Sequence, residues 1–460
     1  MSMRVSLLAK VLSRHRELRR RESWTRPELL AHQQRSQAAL RNFAFKASPF
    51  YRRFHQGLGG APLSELPVLT KATLMEHFDE VVTHRGIELE DLRSFLPRMA
   101  AGELFRGKYY VSATSGTTGE PGVFLWDADE WAGVLASYSR PYAWGGVDPR
   151  LTRRTKMAVV SSTTPWHQSA LVGATVDSPF IPTLRLDSGT PVDELAPLLQ
   201  AFRTDVVVGY ASVLGLLAAE QLAGRLAISP QASFSSSEVL TDRTRRLIES
   251  AWGHEPFGVY AATETAGIAA ECEYHSGMHL FEDSVITEVV DEDYRPVALG
   301  EYGAKVLVTV LGSRLLPLIR YEMGDSVRLS PADPCPCGRP FARLDGIQGR
   351  EQEALRMVRP SGGHVVVQPA VFHNVMDTVP VTAWQIVQDA NGLTILVVGL
   401  ATHSDPGRIA RSVGEALTRI GTAQTSIRVE RVDAIPRTRL GKAPLIRSAA
   451  GSLNTGNDPL

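Results

Sequence analysis

The sequence predicts an α/β protein: a large N-terminal domain of parallel-type sheets with a barrel-like subdomain, then a small α+β C-terminal domain. Three observations predict it. Between about residues 100 and 345, short apolar runs alternate with helical stretches, the texture of strands joined by crossover helices. Residues 284–329 change to closely spaced strand-like runs separated by turn formers, which suits an antiparallel or barrel-like layer. A break rich in Pro, Gly and charge at 331–350 then precedes a stretch of strand–helix–strand texture.

Taken in order, residues 1–60 read as helix, with Leu7, Leu8, Val11 and Leu12 on one face and Trp24, Leu29, Leu30, Leu40 and Phe43 continuing it. Arginines at 14, 16, 19, 20, 21 and 26 form a basic stripe, which reads as a solvated helix face. The alternation that follows runs MAVVSS, a helix near 192–203, DVVVGY, a helix over 211–224, FSSSEVL at 234–240, a helix over 241–252 and FGVYAAT. The antiparallel layer is SVITEVVD, AKVLVTVL and DSVRLS. The C-terminal domain is TAWQIVQDA, LTILVVG and SIRVERVDA. The predicted boundaries are 1–346 for the large domain, 347–352 for a hinge and 353–460 for the small domain.

Composition narrows the function. Lys+Arg 49 balances Asp+Glu 49, so no global field draws in nucleic acid or an anionic membrane surface, and neither is expected as a partner. No apolar run reaches membrane-spanning length and the N-terminus lacks the pattern of a signal peptide, so a cytoplasmic location is expected. The three cysteines are an odd, sparse set that suits a reducing compartment. The oligomeric state is left open, with a homodimer as one option.

The most informative stretch is YYVSATSGTTGEPGVFLW at 109–126. A strand leads into Thr114, Ser115, Gly116, Thr117, Thr118 and Gly119, where hydroxyls alternate with glycines that let backbone N–H groups turn inward. Such a run can nest phosphate oxygens with dipoles alone, and the same composition also suits a plain turn between strands. The Walker pattern is absent. TSGTTGEPG resembles the phosphate loop of the adenylate-forming superfamily, the acyl-CoA ligases and their relatives. Later segments resemble that family's signatures in the same order: FSSSE at 234–238, YAATE at 260–264, RYEMGD at 320–325, GIQGR at 346–350 and PRTRLGK at 436–442. GYASVLGLLA, GMHLFED, TEVVD and LPLIRYEMGD are most similar to the phenylacetate–CoA ligase branch.

The resemblance implies a set of roles. Ser236, Ser237, Glu238, Tyr260 and Ala261 would line the adenine, with Ala261 standing where the family has glycine. Glu264 would hold Mg²⁺ and Thr263 would donate to phosphate. Asp325 would accept from the ribose hydroxyls, Arg350 would bond ribose or phosphate, and Lys442 would be the catalytic lysine delivered by a mobile C-terminal lid. Each also suits an ordinary surface residue when taken alone. The chemistry needs such a set, because charge gathers on the α-phosphate as pyrophosphate leaves.

Trp166 and His167, in TTPWHQSALVG, and Tyr210 correspond to the walls of the acyl pocket and favour an aromatic or planar substrate. A histidine there can equally be an internally bonded core residue. Three positions depart from the family pattern: Glu120 replaces the lysine after the phosphate loop, Gln352 occupies the hinge, and SGGHVV replaces the loop that recruits CoA. Cys272, Cys335 and Cys337 with His279 of GMHL make a donor set for a closed structural zinc, with His275 as substitute ligand and three metal-free thiols as the other reading.

The expected function is ATP-dependent formation of an AMP adduct on a small oxyanion, with Mg²⁺ and pyrophosphate release, followed by transfer to CoA. The alternatives are a non-CoA acceptor, as in diazotases that use nitrite and an aryl amine, and a catalytically silent ATP-binding protein.

Overall fold

The computed structural model describes residues 5–114, 121–147, 154–331, 334–350, 355–367, 369–376, 379–381, 383–401, 404–436 and 445–448. The chain divides into two compact units: Met1–Val159, Thr163–Arg185 and Phe257–Ile347 form the first, and Val160–Ser162, Leu186–Pro256 and Gln348–Leu460 form the second.

The first unit opens with helices Val5–Arg21, Arg26–Ala47 and Pro49–Phe54. Thr25 and Glu28 close a capping box at the start of the second helix, each satisfying a backbone N–H that the helix cannot. Ser48 caps the third. Arg14, Arg16, Arg19 and Arg20 lie on the exposed face, as expected. Arg26 is exposed too, although it pairs with Glu282, whereas Arg21 is largely covered and pairs with Asp283. The expected solvated stripe thus holds except at Arg21, which an acidic partner more than 250 residues away in sequence takes out of it.

Deeper in the unit, Arg140 of helix Ala128–Trp144 binds both oxygens of Asp283, at 2.9 and 2.8 Å, with side chains only 1% and 0% exposed. Burial pushes the Asp283 carboxyl up, but Arg140 outweighs it and holds the group below its ordinary range. A fully buried carboxylate is tolerable only with this kind of two-point pairing.

Val285–Val290 and Lys305–Val310 pair antiparallel as expected, but the third strand of their sheet is Tyr321–Met323, and DSVRLS, expected in this layer, forms strand Asp325–Leu329 of another sheet. A second run in this unit has the order Asp325–Leu329, Arg343–Arg350, Met278–Leu280, Ala266–Glu271, Phe257–Ala262. Two expectations change here. Phe257–Ala262 returns antiparallel as Ala266–Glu271 across a short turn, because Thr263–Thr265 is far too short for a parallel crossover. Residues 343–350, read as part of a break, are a strand.

In the second unit, Val206–Gly209 pairs in parallel with Ala232–Ser236 through the crossover helix Ala211–Leu222, and helix Asp242–Trp252 follows. The strand ends earlier than FSSSEVL implied, because Ser237 takes a left-handed φ of 66°. At Gly209 a Cβ would lie 3.0 Å from the Val160 carbonyl oxygen, so the backbones there approach as only glycine permits. Residues 383–448 give a four-stranded sheet in the order Ile427–Arg431, Gly392–Val398, Ala383–Asp389, Ile446–Ser448. Helix Pro406–Arg419 buries Ile409, Val413 and Leu417, spaced one helical turn apart, among Phe372, Trp384, Ile386 and Ile395.

One buried base makes stability depend on pH. His55 is 5% exposed, packs on Tyr51 and Phe54, and its Nε2 has no hydrogen-bond partner among the described residues. Burial, helped by Arg41, pushes its imidazole down to about 4. A base whose folded pKa lies below its ordinary 6.5 stabilises the fold fully above that value and loses the contribution as pH falls toward 4. Thermal unfolding midpoints should therefore drop on acidification across this window, and His55→Phe should flatten the drop. Complete loss corresponds to roughly 3 kcal/mol. Equal pH profiles for the two proteins would contradict the assignment.

Candidate active site and metal cluster

The stretch read in the sequence as a phosphate loop follows strand Tyr110–Ala113, and its first residue, Thr114, is pinned. The Thr114 N–H donates to the Gly122 carbonyl at 2.9 Å, and its Oγ1 accepts from the Gly122 N–H at 2.8 Å. A Cβ at Gly122 would press on the Phe124 ring at 3.0 Å and the Lys71 stem at 3.3 Å. Lys71 is a neighbour that no sequence signal revealed. Ser115, Gly116, Thr117, Thr118, Gly119 and Glu120 lie outside the described residues, as do Gln352, Lys442 and the side chain of Arg350.

The same strand holds the aromatic segment. The Trp166 carbonyl accepts from the Ser112 hydroxyl at 2.7 Å and from the Ala113 N–H at 3.1 Å. His167 is buried and precedes helix Gln168–Val176. Gln168 Nε2 donates to the Thr263 carbonyl at 3.0 Å, and Gln168 Oε1 accepts from the Tyr138 phenol at 2.6 Å. Three segments singled out in the sequence, at 114, 166–167 and 263–264, are thus tied together in the first unit by two residues that were not singled out, Ser112 and Gln168.

Tyr260 and Asp325 also meet: the phenol donates to Asp325 Oδ2 at 2.9 Å, both groups being buried. A β-bulge between Tyr260 and Ala261 redirects the side chains that follow it. Glu264 lies on the wall of a cavity of about 440 Å³ in the first unit, with Thr265, Ser137 and Gly267.

The second unit contains Tyr210, Ser236, Ser237 and Glu238. The buried Tyr210 hydroxyl accepts from the Ser162 N–H at 3.0 Å. Glu238 Oε2 accepts from the Ser212 N–H at 2.9 Å, which places a carboxylate at the start of helix Ala211–Leu222, where it opposes the helix dipole.

The sulfur and imidazole donors converge as well. Cys272, His279, Cys335 and Cys337 have their ligand atoms within 4.8 Å of one another. Cys272 Sγ lies 3.7 Å from Cys335 Sγ, and Cys337 Sγ lies 3.3 Å from His279 Nε2. His279 Nδ1 faces the Phe341 carbonyl at 3.4 Å, which fixes the ring with Nε2 toward the thiols. Burial pushes the imidazole down to about 4 and the Cys272 thiol up to about 12. His275 stands apart, its Nδ1 on Glu271 at 3.2 Å.

No family model matches the chain. The phenylacetate-coenzyme A ligase of Thermus thermophilus is 26% identical over 382 residues, covering 78% of each chain. That of Escherichia coli is 29% identical over 332 residues, covering 68% of this chain and 69% of the relative. Among solved structures, a 2-hydroxyisobutyryl-CoA ligase in its postadenylation state superposes with a TM-score of 0.70 at 21% identity, over 91% of this chain and 89% of the other.

Proposed function

Because the chain belongs to the adenylate-forming superfamily, on its phenylacetate-CoA ligase-like branch, and is an ATP-dependent, AMP-forming ligase, we propose that it activates a small aromatic carboxylate and passes the acyl group to CoA. The supporting observation is the hydrogen-bonded juxtaposition of the phosphate-loop base, the Trp166 segment and the Thr263–Glu264 turn within one unit.

In the first step a carboxylate oxygen attacks the α-phosphorus of ATP, the bond to the bridging oxygen breaks, and pyrophosphate leaves. Mg²⁺, when held by Glu264, supplies charge neutralisation at the phosphates. The residues do the rest. Thr263 and the loop hydroxyls orient phosphate, Asp325, itself oriented by Tyr260, accepts from the ribose hydroxyls, and Arg350 and Lys442 supply cations to the transferring group. In the second step the CoA sulfur attacks the acyl carbon, AMP departs with the carboxylate oxygen, and the thiol proton passes to water. ATP, CoA and reduced thiols fit a cytoplasmic enzyme.

The acceptor rests on the branch resemblance, while the hinge and loop sequence favour a second reading with nitrite and an aryl amine. Strands Leu355–Val358 and His364–Val367 form a hairpin whose tip carries Pro360, Ser361, Gly362 and Gly363 in place of a CoA-recruiting loop. Product masses after incubation with ATP, Mg²⁺, an aromatic acid and each acceptor in turn separate the two. An acyl-CoA product is expected. Turnover that ignores CoA and rises with nitrite or an amine would replace the CoA step.

Zinc completes the cofactor set. An ion about 2.3 Å from each sulfur at tetrahedral angles separates the sulfurs by about 3.8 Å, and the 3.7 Å between Cys272 and Cys335 fits that edge. Three thiolates and one imidazole leave no open position, so the site is structural.

A further inference from the structure

We propose that Gln168 is a positioning residue that sets the Thr263–Glu264 turn and, through it, the affinity of the site for metal-bound nucleotide; this rests on Glu264 being the Mg²⁺ ligand. The turn is held at both ends by consecutive residues of one helix, Ala128–Trp144. At its start, Tyr138 reaches Thr263 through Gln168. At its end, the Ser137 hydroxyl accepts from the Gly267 N–H at 3.2 Å. Between these anchors the backbone passes through Ala266 at a left-handed φ of 64°, a conformation that a non-glycine residue keeps only when its surroundings enforce it.

The amide orientation is fixed by chemistry. Burial, with Tyr142 adding to it, pushes the Tyr138 phenol above its ordinary range, so it stays protonated and can donate. The Thr263 carbonyl can only accept, so Nε2–H faces it and Oε1 is left to accept from the phenol. The link is therefore directional, phenol to amide to carbonyl. The carbonyl it holds belongs to the peptide that also contains the Glu264 nitrogen. Gln168 is buried, so losing either contact strands a polar group away from water.

A residue of this kind touches neither nucleotide nor metal, and its effect must appear in the part of ATP binding that depends on metal. The test is calorimetric titration of the full-length protein with ATP, once in EDTA and once in Mg²⁺, for the parent, Gln168→Met and Tyr138→Phe. Methionine keeps the length of glutamine without its donor or acceptor. The affinity gained from Mg²⁺ should fall about fivefold or more in Gln168→Met and less in Tyr138→Phe, with affinity in EDTA nearly unchanged. Equal weakening in both media, or a lowered unfolding midpoint with the Mg²⁺ gain intact, would overturn the proposal and leave Gln168 a structural residue. Should Gln168→Met fail to fold, Tyr138→Phe decides: an unchanged gain refutes the link. A parent protein that binds ATP with no gain from Mg²⁺ refutes the Glu264 role itself, and the proposal with it.

Discussion

Replacing Lys442 with alanine should lower the rate of adenylate formation by at least about a hundredfold, equivalent to about 2.7 kcal/mol of transition-state stabilisation, and leave the unfolding midpoint unchanged. Lys442 itself lies outside the described residues, but the chain on either side of it is anchored. The Pro436 carbonyl accepts from Gln385 Nε2 at 3.2 Å, and Ile446 pairs in parallel register with Ile386, so the segment leaves and returns to adjacent residues of one strand. Both anchors sit on the strand that carries Trp384 and Ile386 of the core, and Lys442 is expected to supply its cation without contributing to that core. The loss should fall on the first half-reaction, with ATP binding little affected, because an ammonium on the transferring phosphate acts mainly as charge develops. Pyrophosphate release equal to the parent's would remove Lys442 from the mechanism.

Protein purified without a metal-binding tag is expected to carry one zinc per chain, and stripping the metal should lower the unfolding midpoint by about 10 °C or more. Closed zinc sites contribute folding free energy directly, of order 10 kcal/mol in small peptides, and about 1 kcal/mol moves the midpoint of a large domain by roughly 2–4 °C. The cluster joins residues from three separate chain segments, at 272, 279 and 335–337, so its loss frees all of them at once. Cys335→Ser should reproduce most of the shift. Less than about a tenth of an equivalent of zinc in fully active protein would leave the four side chains as a metal-free cluster.

Much of this was legible in the sequence, and the gaps have physical causes. The helices at 192–203, 211–224 and 241–252 appear at Val192–Phe202, Ala211–Leu222 and Asp242–Trp252, since apolar periodicity and capping residues such as Thr241 are local signals. The reversal after Phe257–Ala262 was not legible. Its turn lacks the usual glycine or proline, and the left-handed position falls on Ala266. Arg21 could not be told from the solvated arginines around it, because Asp283 comes near it only in the fold. The site followed the same rule. Thr114, Trp166 and Thr263 lie in stretches that the sequence singles out, whereas the hydrogen bonds that connect those stretches, through Ser112, Tyr138 and Gln168, carry no sequence signal. The sequence puts His279 first as the fourth donor and keeps His275 as its substitute. In the fold, His279 points Nε2 at Cys337 while His275 bonds Glu271.

The central claim, adenylation of a carboxylate, is tested most directly by pyrophosphate exchange. The protein is incubated with Mg·ATP, labelled pyrophosphate and individual aromatic acids, without CoA or any other acceptor. Label should enter ATP only when an acid is present, because only a reversible acyl-AMP intermediate can return pyrophosphate to the nucleotide. Protein that binds ATP yet exchanges no label with any acid would contradict the account.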